Sequence, residues 1–282
     1  MKYISIAPST FDFAWQVDLA YHQHLALGMD ISRFIVLSPY VNSIYDTYQK
    51  CFPSYIGEKN VDPFWEYLGI DYDGGLLPIN IQTSLAQYEI EDEEVYVIGD
   101  ADMFPIKNKH FDLASDICHE TIYERWHIHQ HTDGNYLKCL IPEEKRDFNF
   151  SGFVPIVIKG SVLKIILPDW IRLHLDAYKI CKQEHKWWCG MYSYNLVCAS
   201  HNLKIDEKRI CVLPFDTEIN DSMFYLHYSV AFENFDKHKR DFFLHKEKII
   251  NTDLQKLSKV EKIMFYALLN WYTCSEFSNH YL

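Results

Sequence analysis

The sequence predicts an α/β fold: a mixed central sheet flanked by helices, with a helical extension at the C-terminal end. Three observations carry this. Residues 2–39 read as strand, helix and strand in succession, the βαβ unit that sets two parallel strands side by side. Further along, "VYVIG" and "FVPIVIKG" are short, β-branched apolar runs of the kind that fill the middle of a sheet. Near the end, Leu257, Val260, Ile263, Met264, Ala267, Leu268 and Trp271 recur at helical spacing within a stretch from Leu254 to Phe277. The expected organisation is one α/β domain over residues 1–235, with residues 236–282 as a helical extension packed on the same domain.

The elements follow in order. "KYISIA" alternates like a strand and is ended by the turn-like Pro8-Ser9-Thr10. From Phe11 to Met29 the apolar residues Trp15, Leu19, Leu25 and Met29 keep helical spacing, punctuated by Gly28 and Asp30. "RFIVLSP" is a second strand stopped by Pro39, and "NSIYDTYQKCF" a further helix. An aromatic connection runs through Pro78 to the short helix "IQTSLAQYE", and the acidic residues Glu91 to Glu94 lead into the strand "VYVIG". Residues 112–134 are polar and histidine-rich and offer no periodicity. "FVPIVIKG" is a strand, "SVLKIILPDWIRLHLDAYKICK" a helix interrupted or started at Pro168, and "WWCGMYSYNLVCASHNL" another helix. "RICVLPF" and "FYLHYSV" are short strands before the closing helix.

Composition bounds the function. A chain of 282 residues with 48% apolar and 23% charged residues buries a sizeable core. The net charge of −12 opposes a protein that coats nucleic acid, because phosphates reward a positive field. The basic runs Lys237-His238-Lys239-Arg240 and Lys246 to Lys248 read as a solvated helix face or loop. Eight scattered cysteines form no CxxC pair, which fits reduced, mostly buried thiols. No secretory h-region and no run of eighteen apolar residues is present, so the expectation is a cytoplasmic protein without a membrane span.

The chemistry concentrates at "VYVIGDADMFP". Residues i and i+2 of an extended or turning segment project to one side, so Asp100 and Asp102 point together off the strand while Ala101 turns away. Two carboxylates in one space repel unless a cation lies between them, and no lysine or arginine is nearer in sequence than Lys107. A hard divalent ion, Mn²⁺ or Mg²⁺, suits such oxygen ligands. Open α/β sheets also bind their ligands beyond the carboxyl ends of the strands. A capping or turn role for the two aspartates is the plain alternative.

The segment "VYVIGDADMFP" resembles the strand-plus-DxD motif of GT-A glycosyltransferases. "FAWQVDLAYHQHL", "FNFSGFVPIVIKGSVLKIILPDWIRL", "WWCGMYSYNLVCASHNL" and "YLHYSVAF" are similar, in order and spacing over about residues 3–232, to segments of the plant peptidyl serine galactosyltransferase and hydroxyproline arabinosyltransferase group. The resemblance implies a Rossmann-like GT-A domain that moves a pentose or hexose from a nucleotide sugar, a UDP-linked one first, to an acceptor hydroxyl, with retention. It implies Asp100, Asp102 and His227 as metal ligands. Ala7, Ser9, Thr10, Phe11, Trp15 and Gln16 would meet the base and ribose. Ala101, Ser151 and Gly152 would lie beside the donor, the glycine allowing close approach. Trp187, Trp188 and Tyr192 would line the acceptor side. One departure stands out: the family helix carries a glutamate before Met-Tyr, where this chain has Gly190, so no general base can be assigned by resemblance.

Other constellations are weaker. His127, His129 and His131 alternate but lack a fourth ligand, and read as a surface or acceptor-binding loop. Cys118-His119 lacks the third group that would orient a nucleophile–base pair. Two rival functions remain open: a metal-dependent phosphoryl-transfer enzyme, and a degenerate nucleotide-sugar-binding module. The acceptor also remains open among a protein hydroxyl, a glycan and a hydroxymethylated DNA base.

Overall fold

The computed structural model describes residues 1–6, 11–38, 55–57, 89–111, 113–121, 132–228, 235 and 246–274. Its seven-stranded sheet has the order β3-β2-β1-β4-β7-β6-β8, formed by β1 (Lys2–Ile6), β2 (Phe34–Ser38), β3 (Tyr55–Gly57), β4 (Val95–Asp100), β6 (Ile117–Thr121), β7 (Gly152–Lys159) and β8 (Ile205–Lys208). Every strand but β7 runs the same way. Their carboxyl ends therefore share one edge, and β7 starts there instead of ending there. A second, three-stranded sheet has the order β5-β10-β9, from β5 (Met103–Pro105), β9 (Cys211–Val212) and β10 (Tyr225–His227). β5 follows β4 after only two turn residues, so the chain passes directly from one sheet into the other.

The sheet is central because its strands are buried on both faces. Ile98, Ile156, Val157 and Ile117 are wholly inaccessible, as expected of strands covered by helices on both sides. The helix α1 (Phe11–Ala26) buries Trp15, Val17, Leu19 and Ala20, and it ends where Gly28 takes a left-handed φ of 65°. The closing helix α6 (Lys259–Cys274) packs on α1. Trp271 donates its indole N–H to the buried Asp18 carboxylate at 2.5 Å, and Gln23 and Asn270 each donate across the interface to a backbone carbonyl. The sequence predicts this helix from Leu254, but it begins at Lys259. Ser258 and Glu261 cap it reciprocally, each accepting the other's backbone N–H, and that box sets the first turn.

The helices α3 (Gly160–Ile180) and α4 (Cys189–Ser200) form a hairpin over β7 and β6. α3 begins beside Glu94, just ahead of β4, since the Gly160 N–H donates to the Glu94 carbonyl at 2.8 Å. At 1.5 Å per residue its 21 residues reach about 31 Å, back to the carboxyl edge of the sheet. α4 returns toward the amino edge, where Lys204 exchanges hydrogen bonds with Asp116 ahead of β6. The turn between the two helices therefore stands over the carboxyl edge. Pro168 does not interrupt α3. Leu163, Ile166, Leu167, Trp170 and Leu173 are all buried around it, and burial worth about 1.5–3 kcal/mol per side chain outweighs one lost backbone bond.

Further differences from the sequence reading have local causes. β6 lies inside the stretch that showed no periodicity, because "ICHET" carries His119 and Glu120 in a strand buried from Ile117 to Glu120. β8, "IDEK", is too polar to read as a strand and forms by pairing with β6. "RICVLPF" contributes only the two residues of β9. The helices expected at 42–52 and 81–89, apart from Glu89, which is not helical, and the histidines 127, 129 and 131, lie outside the described residues. Two shorter helices, α2 (Thr132–Leu137) and α5 (Lys246–Ile250), complete the described elements. No described helix is long and apolar enough to cross a membrane.

Pairing of β6 with β7 is irregular between His119 and Glu120, near the start of β7. The His119 imidazole fills the space beside Gly152: a Cβ built there would lie 2.1 Å from its Cδ2. Two stability outcomes are expected. Trp271→Phe should cost about 2 kcal/mol in urea unfolding, since it strips a hydrogen bond from a buried carboxylate; an unchanged midpoint would remove the α1–α6 bond from the account. Gly152→Ala should cost about 1–3 kcal/mol, and measurably less in a His119→Ala background. Equal costs in both backgrounds would show that the ring is not what demands the glycine.

Candidate active site

Asp100 is the last residue of β4 and pairs with Ile6 of β1 at the carboxyl edge. Ala101 is buried, which turns Asp102 back to the same side as Asp100 before the chain enters β5. His227 ends β10 directly opposite Met103 of β5. Its Nε2 lies 3.3 Å from Asp102 Oδ1, and the Tyr228 N–H donates to the Asp102 carbonyl at 3.1 Å. One ligand atom from each of Asp100, Asp102 and His227 lies within 4.8 Å of the other two. An octahedral ion with bonds of about 2.1 Å spaces its ligands by about 3–4 Å, so the three side chains fit Mg²⁺ or Mn²⁺ with room for further ligands. Among the described residues this is the one such group.

The second sheet is held in place by Glu120, at the carboxyl end of β6. Its Oε2 accepts the backbone N–H of Ile210 at 2.5 Å and of Cys211 at 2.7 Å, and its Oε1 accepts the Arg209 Nε–H at 3.1 Å. Burial pushes this carboxyl up to about 7, against the downward pull of the two backbone donors, Arg209 and His227. Arg209 is shared with Asp216 at 2.8 Å.

The start of β7 is fixed by side chains. The Ser151 N–H donates to Glu207 Oε1 at 2.8 Å. Asn195 of α4 accepts the Gly152 N–H at 3.0 Å and donates to the Gly152 carbonyl at 2.9 Å, pairing with the strand as a neighbouring backbone would. Both residues are buried. His119 bonds the Tyr194 hydroxyl through Nδ1 at 2.9 Å, and its Nε2 stands 3.6 Å from Glu207. Cys118 is buried, and burial pushes its thiol up to about 11, the reverse of an activated nucleophile. Five of the seven described cysteines are buried, and all seven are free.

Of the residues expected to meet the donor, Ala7, Ser9 and Thr10 lie outside the described residues, as does the Phe11 side chain. Gln16 is buried, and Trp15 packs between Tyr228 and Trp271 at 6.0 and 6.3 Å. A small cavity beside Asp100 is lined by Tyr3, Ser5, His24, Gly99 and Met103. Ser5 Oγ and His24 Nε2 are buried there without a hydrogen-bond partner. His24 is held neutral, its pKa pushed down to about 4 by burial, and its Nδ1–H donates to the Ala20 carbonyl at 2.7 Å.

Around the residues expected on the acceptor side, Gly190 is buried at the start of α4, and its carbonyl accepts the Trp170 indole N–H at 3.4 Å. Tyr192 is fully buried, Trp188 is partly exposed, and the Trp187 side chain lies outside the described residues. Two residues that sequence reasoning did not single out meet here: His185 stacks on Trp188, with ring centroids 5.0 Å apart and planes at 17°, and its Nδ1 lies 2.5 Å from Asp133 Oδ2. They are 52 positions apart, so no local motif announces the pair.

No protein-family model matches this chain, and no curated protein matches it. Solved structures do. The galactosyltransferase LgtC, crystallised with donor and acceptor sugar analogues, aligns over 100% of both chains with a TM-score of 0.57 at 11% identity. The bifunctional glycosyltransferase WbbM aligns over 93% of this chain and 51% of its own, with a TM-score of 0.53 at 12% identity. The glycosyltransferase GlyE of Streptococcus pneumoniae TIGR4 aligns over 100% of this chain and 64% of its own, with a TM-score of 0.51 at 10% identity. At these identities the likeness establishes the fold, and the fold is that of the GT-A glycosyltransferases.

Proposed function

We propose that this chain is a metal-dependent glycosyltransferase that moves a sugar from a nucleotide sugar, uridine-linked in the first instance, to an acceptor hydroxyl. The carrying observation is the convergence of Asp100, Asp102 and His227 at the carboxyl edge of the sheet, from two different sheets and in a GT-A fold. The likeness to LgtC, a protein crystallised with donor and acceptor sugar analogues, supports a nucleotide-sugar donor. The order of motifs favours the peptidyl serine galactosyltransferase and hydroxyproline arabinosyltransferase group, and a pentose or hexose as cargo.

Asp100, Asp102 and His227 would hold Mn²⁺ or Mg²⁺. The bound ion supplies positive charge against a diphosphate leaving group. The residues of the chain do the positioning. Asp102 is fixed at both ends, its carbonyl by Tyr228 and its carboxylate by His227. Ser151 and Gly152 set a rigid wall beside the transferred sugar, because Glu207 and Asn195 hold their backbone. Trp188 offers an apolar face to the acceptor. Holding donor and acceptor in line replaces a bimolecular encounter by a local one.

A phosphoryl-transfer enzyme usually gathers further carboxylates around its metals, and the described residues hold no second cluster of metal-type ligands. The acceptor classes are a protein hydroxyl, a glycan and a hydroxymethylated DNA base. The net charge of −12 weighs against the last, which would also require a flipped base and a steep salt dependence.

The test is a screen of UDP-linked hexoses and pentoses for UDP release and sugar transfer with and without Mn²⁺. Asp102→Asn should lower turnover by at least about 100-fold, as loss of a group that stabilises the transition state does. Chelation should abolish it reversibly. Metal-independent turnover, or an Asp102→Asn variant as active as the parent, sinks the proposal. Tight Mn²⁺-dependent UDP binding without turnover on any acceptor identifies the degenerate binding module instead.

A further inference from the structure

We propose that Ser5 and His24 hold one internal water molecule between β1 and α1, in the small cavity beside Asp100. The inference stands apart from the glycosyl-transfer reading above. Ser5, His24, Gly99 and Asp100 are all among the described residues that line this cavity. The space open to the centre of a water-sized sphere is about 10 Å³, room for a single water molecule. The site therefore adjoins the end of β4, the strand that presents Asp100.

Each of the two side chains brings one half of the bridge. His24 is 2% exposed, and its ring is held between Tyr3, edge-on with centroids 4.8 Å apart, and Phe34 at 4.6 Å. Its Nδ1 lies 2.7 Å from the Ala20 carbonyl, which can only accept, so the hydrogen belongs on Nδ1. Burial keeps the ring neutral, and Nε2 is left as a lone-pair acceptor. Ser5 is 6% exposed and pairs with Gly99 across β1 and β4. It lies two residues after Tyr3, so its hydroxyl shares the face of β1 whose Tyr3 ring meets His24.

Neither Ser5 Oγ nor His24 Nε2 has a hydrogen-bond partner, so the two do not bond each other directly. A buried polar atom left unpaired carries the full cost of its desolvation, and native interiors satisfy nearly all such atoms through protein or ordered water. A water between these two completes both. The Ser5 hydroxyl donates to the water oxygen, and a water hydrogen is donated to His24 Nε2. Two polar partners and the volume of one molecule meet the requirements of an internal water.

The experiment has two arms, both on the full chain. A crystal structure at a resolution that shows ordered solvent should place a water within about 2.7–3.2 Å of both Ser5 Oγ and His24 Nε2. A direct Ser5–His24 bond, or no solvent density between them, overturns the proposal. In urea unfolding, Ser5→Ala and His24→Leu should each raise the unfolding equilibrium constant. Combined, they should raise it by about tenfold less than the product of the two single effects, since either one alone breaks the bridge. Strictly multiplicative effects overturn it. If His24→Leu does not fold, the crystal structure of Ser5→Ala decides beside that of the parent: loss of the water supports the bridge, and an undisturbed water overturns it.

Discussion

The placement of His227, the candidate metal ligand on the small sheet, depends on one carboxylate. Glu120 belongs to the large sheet, yet it spends its oxygens on Arg209, Ile210 and Cys211, the stretch that enters the small sheet. β9 is only two residues long and β10 only three. Strands so short do not hold their own position, because each contributes too few ladder bonds and too little buried area. Glu120 supplies the missing anchor at a buried position, where charge-assisted bonds are strongest and an unmade one costs most. His227 thereby inherits its location from a residue on a different sheet.

This arrangement joins two halves with different construction. The half expected to take the donor is built from strand ends and a two-residue turn, rigid by hydrogen-bonded register. The half expected to take the acceptor is built from α4 and the turn before it, and its contact with the sheet edge runs through side chains: Asn195 on Gly152, and Tyr194 on His119. In the first, the ligands are neighbours in sequence or in register. In the second, Asp133 and His185 meet only because a long helix delivers one of them to where the other begins.

That difference explains how much was legible. β1, α1, β2, β4 and β7 were readable because their burial is reflected in an apolar pattern, and the side-by-side placement of Asp100 and Asp102 because residues two apart at the end of such a strand project together. β6 escaped notice because His119 and Glu120 are polar residues buried by virtue of their partners, Tyr194 and the Arg209–Cys211 backbone. β8 is a strand by pairing alone. Pro168 misled because its local cost is visible in sequence, while the burial of Leu163, Leu167 and Trp170 that offsets it is a tertiary fact. The Asp133–His185 contact was invisible for the same reason: neither a lone aspartate nor a lone histidine signals anything until a fold brings them together.

The reversed direction of β7 has a consequence for the order of events at this edge. A strand that begins there presents backbone N–H groups outward, and such groups would be the natural receptors for an anion. Here they are already spent, Ser151 on Glu207 and Gly152 on Asn195, both acceptors supplied by the protein itself. Arg209, the nearby guanidinium, is divided between Glu120 and Asp216. Among the described residues, an edge centred on two aspartates offers a diphosphate little positive charge of its own. In the function proposed here, the cation therefore precedes the nucleotide or arrives bound to it, and free nucleotide entering alone meets repulsion.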